Sequence, residues 1–307
     1  MASTITLVVS QSVLEKMYQH YENQIIKVPN HTLFQAKTAN CTITAYLSKK
    51  VVFQGANPAL EANKWQAQTG TAPTSKTKSS KSNHLPANIA SQSAIGCDEV
   101  GTGDYLGPLV VCCAYVTAEQ TQMLLNLGIR DSKDLKDPDI CYLAEKIKNI
   151  VPHQVLVLPN AKYNDMVDRG MNANAIKAYL HNQALLKLTR QLEELPPYLI
   201  MDEFVNERKY HEYLNAIPKQ TTIVKENLYF VQKGESVHVA VAAASILARE
   251  SFVKYMTIMS KQLDFNLPKG ASSKVDGAGR QLVARYGMDK LKNISKWHFA
   301  NTKKILK

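Results

Sequence analysis

The stretch Ile95-Gly96-Cys97-Asp98-Glu99-Val100-Gly101-Thr102-Gly103-Asp104 decides how the chain is read. A short apolar run ends in two adjacent carboxylates, a Gly-Thr-Gly turn follows, and a second apolar run spans Leu109 to Val116. The pattern predicts strand, bend, strand. Neighbouring side chains on a regular strand face opposite ways, so Asp98 and Glu99 can serve one site only where the strand ends and curls. Gly101 and Gly103 would permit the curl, because glycine tolerates positive φ, and their amides would be free to approach a phosphate. Two carboxylates beside an open turn suit a divalent cation, since hard cations take oxygen ligands. A merely solvated turn can carry the same residues, so the surrounding chain has to decide.

Downstream, Asp131-Ser132-Lys133-Asp134-Leu135 leads into a helix predicted over Ile140 to Ile150, and Val155 to Leu158 reads as a strand. Asn160 to Glu194 reads as helical, with Ala175, Tyr179, Leu185, Leu188 and Leu192 along a buried stripe. Tyr198 to Met201 is a short apolar strand that runs into Asp202-Glu203-Phe204. A carboxylate at the end of a buried strand is costly unless it is paired or ligates a metal, which makes Asp202 a third candidate ligand and leaves Glu203 facing away. Another strand is predicted over Thr221 to Val224. Lys233-Gly234-Glu235 then leads into a helix predicted from Val237 to Leu263. Its first half, Ala240 to Arg249, is small and apolar almost all round, as a buried helix requires. Ser245 and Arg249, four residues apart, share a face of it. His298 reads first as a packed or capping histidine, with an approach to nucleic acid as the second reading.

Upstream, residues 1–65 predict a small sheet with one helix. Thr4 to Val9 alternates like a strand, Ser10 caps a helix over Val13 to Tyr21, and strand-like runs follow at Thr32 to Ala39, Cys41 to Leu47 and Val51 to Gln54. Lys37, Lys49 and Lys50 could meet phosphates or simply keep a sheet edge soluble. Residues 66–90 are polar and carry lysines without acids, a composition that predicts a linker. The second unit then spans residues 91–307.

The 307 residues carry a formal net charge of +11, which favours a polyanionic partner with nucleic acid first among them. Hydrophobic residues make up 45% of the chain, which excludes wholesale disorder. No apolar run approaches the roughly 20 residues of a membrane span, and no signal peptide is evident. The cysteines Cys41, Cys97, Cys112, Cys113 and Cys141 form no C-x-x-C pair. They read as reduced thiols of a cytoplasmic protein, with no zinc site expected. Cys112 and Cys113 are adjacent in a strand and should point oppositely.

Asp98-Glu99-Val100-Gly101-Thr102-Gly103, continuing through Gly107-Pro108-Leu109-Val110, resembles the signature of the type II and type III ribonucleases H. Asp131-Ser132-Lys133, the Asp-x-Phe of Asp202 to Phe204, the Ala-Ala-Ser-Ile-x-Ala-Arg run of Ala243 to Arg249, and Trp297 to Lys304 follow in the family's order. The likeness spans nearly all of residues 91–307. By position the first unit looks like the substrate-binding domain of type III members, which is similar to the TATA-binding protein. The resemblance implies a ribonuclease H-like mixed five-stranded α/β sheet with flanking helices behind a small α+β domain. It implies an endonuclease that cuts the RNA strand of RNA–DNA hybrids with two Mg2+ or Mn2+ ions, leaving 5′-phosphate and 3′-hydroxyl, as a monomer. Asp98, Glu99 and Asp202 would hold the metal, with Asp98 bridging, and a fourth acid would complete the set. Glu235 takes the type II place for that acid; some type III enzymes use the position of Asn206, beside Glu207. Gly101, Thr102, Gly103, Ser132, Lys133, Ser245 and Arg249 would face the hybrid. Type II enzymes usually carry Arg where Thr102 stands, which favours type III and a need for several consecutive ribonucleotides. The alternatives are a type II-like junction ribonuclease, a non-catalytic hybrid-binding protein, and an actin-like ATPase, for which no second phosphate loop is visible.

Overall fold

The computed structural model describes residues 3–29, 32–66, 85–129, 135–217 and 222–307. The chain forms two compact units, Met1–Ser82 and Asn83–Lys307. Most of the expected linker, residues 67–84, lies outside the described residues. Gln66, placed in that linker by composition, instead closes a helix.

The first unit comprises β1 (Ser3–Val8), α1 (Gln11–Tyr21), β2 (Ile25–Lys27), β3 (Thr32–Lys37), β4 (Cys41–Tyr46), β5 (Lys50–Gly55) and α2 (Pro58–Gln66). Its strands form one antiparallel sheet in the order β1-β5-β4-β3-β2. Alternation builds it: Phe34, Ala36, Ile43 and Ala45 are fully buried, while the residues between them stay half-exposed. Val13, Leu14, Met17 and Tyr21 of α1 belong to the same core. The Ser10 hydroxyl caps α1 by accepting the Val13 N–H at 3.3 Å. Neither β2 nor α2 was expected, the one being three residues long and the other only weakly patterned.

The second unit runs β6 (Ala94–Val100), β7 (Leu109–Val116), α3 (Ala118–Asn126), α4 (Asp137–Lys148), β8 (His153–Leu158), α5 (Asn160–Asp168), α6 (Ala173–Thr189), β9 (Tyr198–Asp202), α7 (Glu207–Asn215), β10 (Leu228–Val231), α8 (Gly234–Val237), α9 (Val239–Gln262), α10 (Ser273–Tyr286), α11 (Met288–Ile294) and α12 (Ala300–Ile305). The sheet order is β10-β9-β6-β7-β8. β6, β7 and β8 form an antiparallel meander, and β9 and β10 lie parallel to β6. The mixed five-stranded sheet is therefore the one the family resemblance implies.

Opposite faces of β6 and β7 enter different cores. Val110, Cys112 and Ala114 pack with α9, whereas Ile95, Cys97, Val111 and Cys113 pack with α6. Cys112 and Cys113 thus do point oppositely. α9 meets the sheet at Gly96, where an added Cβ would lie 2.1 Å from the Val241 nitrogen, so the two backbones touch there. Val239 to Ala248 are buried without interruption, as the small apolar run demands.

Three elements differ from expectation. The long helix over residues 160–194 is two helices, α5 and α6, divided by a turn at Gly170 and restarted by Asn172, whose Oδ1 accepts the Ala175 N–H at 2.9 Å. The helix expected from Val237 breaks at His238, whose extended backbone ends α8 and whose Nδ1 caps α9 by accepting the Ala240 N–H. Of the strand expected over Thr221 to Val224, the described residues 222–224 have no regular structure, and β10 lies further on. Among the described residues, no helix is long and apolar enough to cross a membrane.

Candidate active site

The C-terminal ends of β6 and β9 bring two of the acids together. The parallel register pairs Gly96 with Ile200 and Cys97 with Met201, so the next step sets Asp98 beside Asp202. Ile200 packs against Val241 of α9, and a strand repeats every two residues, so both carboxylates point to the α9 side. Asp202 Oδ1 accepts the Gly234 N–H at 2.8 Å. Lys233, in the left-handed region at φ 55°, turns the chain so that this first amide of α8 faces the carboxylate. Glu235 is the next residue of α8 and so stands at the same end of the sheet.

Asp98 Oδ1 accepts the Glu99 N–H at 2.7 Å. Burial pushes the Asp98 carboxyl up to about 7, helped by the negative charges of Glu99 and Asp202, and hydrogen bonds from Ser245 and the Glu99 amide only partly offset this. Acids gathered so that one of them resists ionisation define a place where a divalent cation fits, because its charge would reverse the balance.

Glu99 corrects the expected curl. β6 remains regular through both acids and ends at Val100, so Glu99 faces α6 rather than turning to join Asp98. There its Oε1 accepts from Lys177 Nζ and its Oε2 lies 2.9 Å from His181 Nε2, each contact being 2.9 Å. Burial raises this carboxyl, but His181 and Lys177 outweigh burial and hold it below the usual carboxylate range. Phe204 covers the pair, stacking on the His181 ring at 5.3 Å with Lys177 Nζ 4.3 Å from its own centroid. An ionised carboxylate has about four lone-pair sites, so these two contacts leave Glu99 able to ligate.

The Gly-Thr-Gly turn is strained at one glycine only. Gly101 has φ +96° and a Cβ there would sit 2.2 Å from the Pro108 oxygen, whereas Gly103 has no positive φ and open space around it. Gly101 is buried and serves the turn; Thr102 and Gly103 are exposed. Lys296, 1% exposed, holds the loop from beneath, donating to the Asp104 and Gly107 oxygens at 2.8 Å each. Burial lowers its ammonium to about 8 against the opposing pull of Asp104. The Asp104 carboxylate and the Tyr105 N–H both bond Gly270, which ties the turn to the Lys269-Gly270 loop.

The remaining expected contacts divide. Ser245 is buried and turned to Asp98, so it positions a carboxylate rather than offering a free hydroxyl. Arg249 pairs with Asp137 at 3.2 Å, and Lys269 joins the same carboxylate. Ser132 and Lys133 lie outside the described residues. Asn206 caps α7 by accepting the Lys209 N–H, and the charge of Glu207 acts on His211. His298 stacks on Tyr163 at 5.7 Å, as a packed histidine should. The sequence reading missed Lys177, His181 and Lys296. The first two had a weak signal, a Lys and a His four residues apart on a helix, where such residues share a face.

Comparison with known proteins agrees with this geometry. Residues 95–302 match the family model described as Ribonuclease HII, and residues 4–79 match a domain of unknown function, DUF3378. Ribonuclease HIII of Listeria monocytogenes serotype 4b (strain CLIP80459) is 47% identical over 100% of this chain and 99% of its own length. Ribonuclease HIII of Bacillus mycoides (strain KBAB4) is 43% identical with the same coverage. The crystal structure of Bst-RNase HIII in complex with Mn2+ superposes with a TM-score of 0.69 at 40% identity, covering 99% of this chain and 98% of that one. Acids at the ends of parallel strands, a glycine turn clasped beside them, and relatives matched from end to end converge on one assignment: the chain belongs to the ribonuclease HIII family of ribonuclease H endonucleases.

Proposed function

We propose that the chain hydrolyses the RNA strand of RNA–DNA hybrids at the Asp98–Asp202 end of the sheet, with Mg2+ or Mn2+ held by Asp98 and Asp202 on one face and by Glu99, whose charge already acts on Asp98, reaching round the end of β6. The observation that carries this is the register that sets Asp98 beside Asp202 on one face, with the Asp98 carboxyl pushed up to about 7 by its surroundings. The Mn2+ complex of Bst-RNase HIII supports the choice of metal. When bound, a pair of such ions supplies an activated water and stabilises the departing 3′ oxygen, giving 5′-phosphate and 3′-hydroxyl ends. The protein's part is to place the ligands. Ser245 and the Glu99 amide orient Asp98, the Gly234 amide orients Asp202, and Lys177 with His181 keeps Glu99 ionised. Glu235 is the fourth acid, favoured over Glu207 because it adjoins the amide that binds Asp202. The exposed Thr102 and Gly103 present amides and a hydroxyl to the ribose 2′-hydroxyl in a minor groove. With Thr102 in place of Arg, cutting requires several consecutive ribonucleotides. Arg249, Ser132 and Lys133 approach the hybrid backbone. The five cysteines, all free thiols, support a cytoplasmic setting, and the chain acts as a monomer.

The test is cleavage of a uniform hybrid duplex in Mg2+, Mn2+ or EDTA. Asp202→Asn should lower the rate on the order of 10²–10³-fold, the usual cost of removing a central electrostatic group. A duplex with a single ribonucleotide should stay largely uncut. Full activity of Asp98→Asn or Asp202→Asn, or undiminished cutting in EDTA, would overturn the assignment.

A further inference from the structure

A second metal-ligand set lies on the opposite face of the same strand. Cys97 and Cys113 are direct partners across β6 and β7, with their sulfurs 2.7 Å apart. Both belong to the α6-side core and are 0% exposed. His181 reaches them from α6, and one ligand atom from each of the three lies within 4.8 Å of the others. Nε2 of His181 is engaged with Glu99, and its buried Nδ1 is turned to the thiols, where it meets Cys97. Tyr210, also 0% exposed, feels the charge of both cysteines, and its hydroxyl is buried and unpartnered. The Tyr210 hydroxyl is thus an orphaned polar atom beside two thiols, and leaving such a group unpaired in a core is costly.

From this arrangement we infer that Cys97, Cys113 and His181 form a binding site for a thiophilic divalent cation, Zn2+ foremost, beneath the carboxylate site. The donor set suits zinc, which takes thiolate and imidazole in tetrahedral geometry with one further position. The Tyr210 hydroxyl, on which the charge of both cysteines acts, is the candidate for that position. The outer contact is the one a metal-binding histidine needs: its far nitrogen donates to a carboxylate, which fixes the ring and leaves the near nitrogen's lone pair for the metal. Binding releases two protons, one from Cys113 and one from the Cys97–His181 contact, for one Zn2+, so the buried cluster's net charge is unchanged. The sulfurs must open from 2.7 Å to about 3.8 Å, the separation that bonds of about 2.3 Å impose across a tetrahedral zinc. Carboxylate oxygens prefer hard cations and thiolates soft ones, so the two faces of β6 sort metals by type. Zinc here would clamp His181, and through it Glu99.

The site is tested with the whole chain loaded with Co2+ as a spectroscopic stand-in for Zn2+. A thiolate-to-cobalt charge-transfer band and tetrahedral d–d bands are expected, and Zn2+ should bleach them. The bands should survive in Asp98→Asn and in Cys141→Ser and vanish in Cys97→Ser and Cys113→Ser. Serine keeps the size of the thiol, and circular dichroism melts verify that these variants fold. Should a serine variant unfold, the wild-type spectrum decides alone. Absence of the thiolate band in the wild type, or its loss in Asp98→Asn, overturns the site. After chelation and denaturation, all five cysteines should titrate as thiols in protein kept under reducing conditions. A count of three would show a Cys97–Cys113 disulfide and overturn the metal site.

Discussion

Ser245 reaches neither solvent nor substrate freely, yet it touches the carboxylate on which the proposed chemistry turns. Its hydrogen bond favours the ionised form of Asp98 against burial and against two neighbouring acids. Ser245→Ala should therefore weaken Mn2+ binding about 10–100-fold, the usual effect of losing an outer partner of a metal ligand. Calorimetric titration of Mn2+ measures this, and an unchanged affinity would assign Ser245 a packing role alone. Asp98 and Asp202 were legible in the sequence because a carboxylate closing an apolar run has few inexpensive explanations. Lys177 and His181 were harder to find, since their meaning depends on Glu99, 78 and 82 residues away. Strand alternation foretold that Glu99 would face away from Asp98; the expected curl was an added assumption that the regular pairing of Glu99 with Val111 removes.

At the scale of elements, the closest approach is β6 on α9. Gly96→Ala would drive a methyl into the α9 backbone at Ala240 and Val241. Backbone cannot step aside as a flexible side chain can, so the substitution should cost about 3 kcal/mol, read as a lower urea midpoint with an unchanged slope. α9 itself was plain from composition, because only a buried helix tolerates so long a run of small apolar residues. β10 was not. Thr221 to Val224 has the better strand composition, but Asn182 takes that segment's hydrogen bonds, donating to the Thr222 oxygen and accepting the Val224 N–H, both at 2.9 Å. The sheet pairs with Leu228 to Val231 instead. A side-chain amide from another helix decided the matter, and no local propensity encodes it.

For the molecule as a whole, charge governs both stability and binding. In the first unit, Glu61 is 3% exposed and accepts from Tyr21, Asn40 and Lys64. Burial raises its carboxyl, but Lys64, Asn40 and Tyr21 together hold it below the usual range. A depressed folded value means that its stabilisation is complete above the unfolded value of about 4.3 and fades as pH falls through the folded one. In a Trp297→Phe background, Trp65 fluorescence reports this unit; acid should lower its melting point more steeply with Glu61 than with Glu61→Gln. The net charge of +11 predicts that the logarithm of hybrid affinity falls linearly with the logarithm of salt concentration, and a flat response would remove the backbone contacts from the account. The Lys296 clasp has a consequence in time. It reaches back 192 residues to the oxygen of Asp104, so a ribosome makes the acids long before it makes the residue that steadies the loop beside them. A nascent chain carries the proposed metal ligands beside an unset loop until Lys296 has been made.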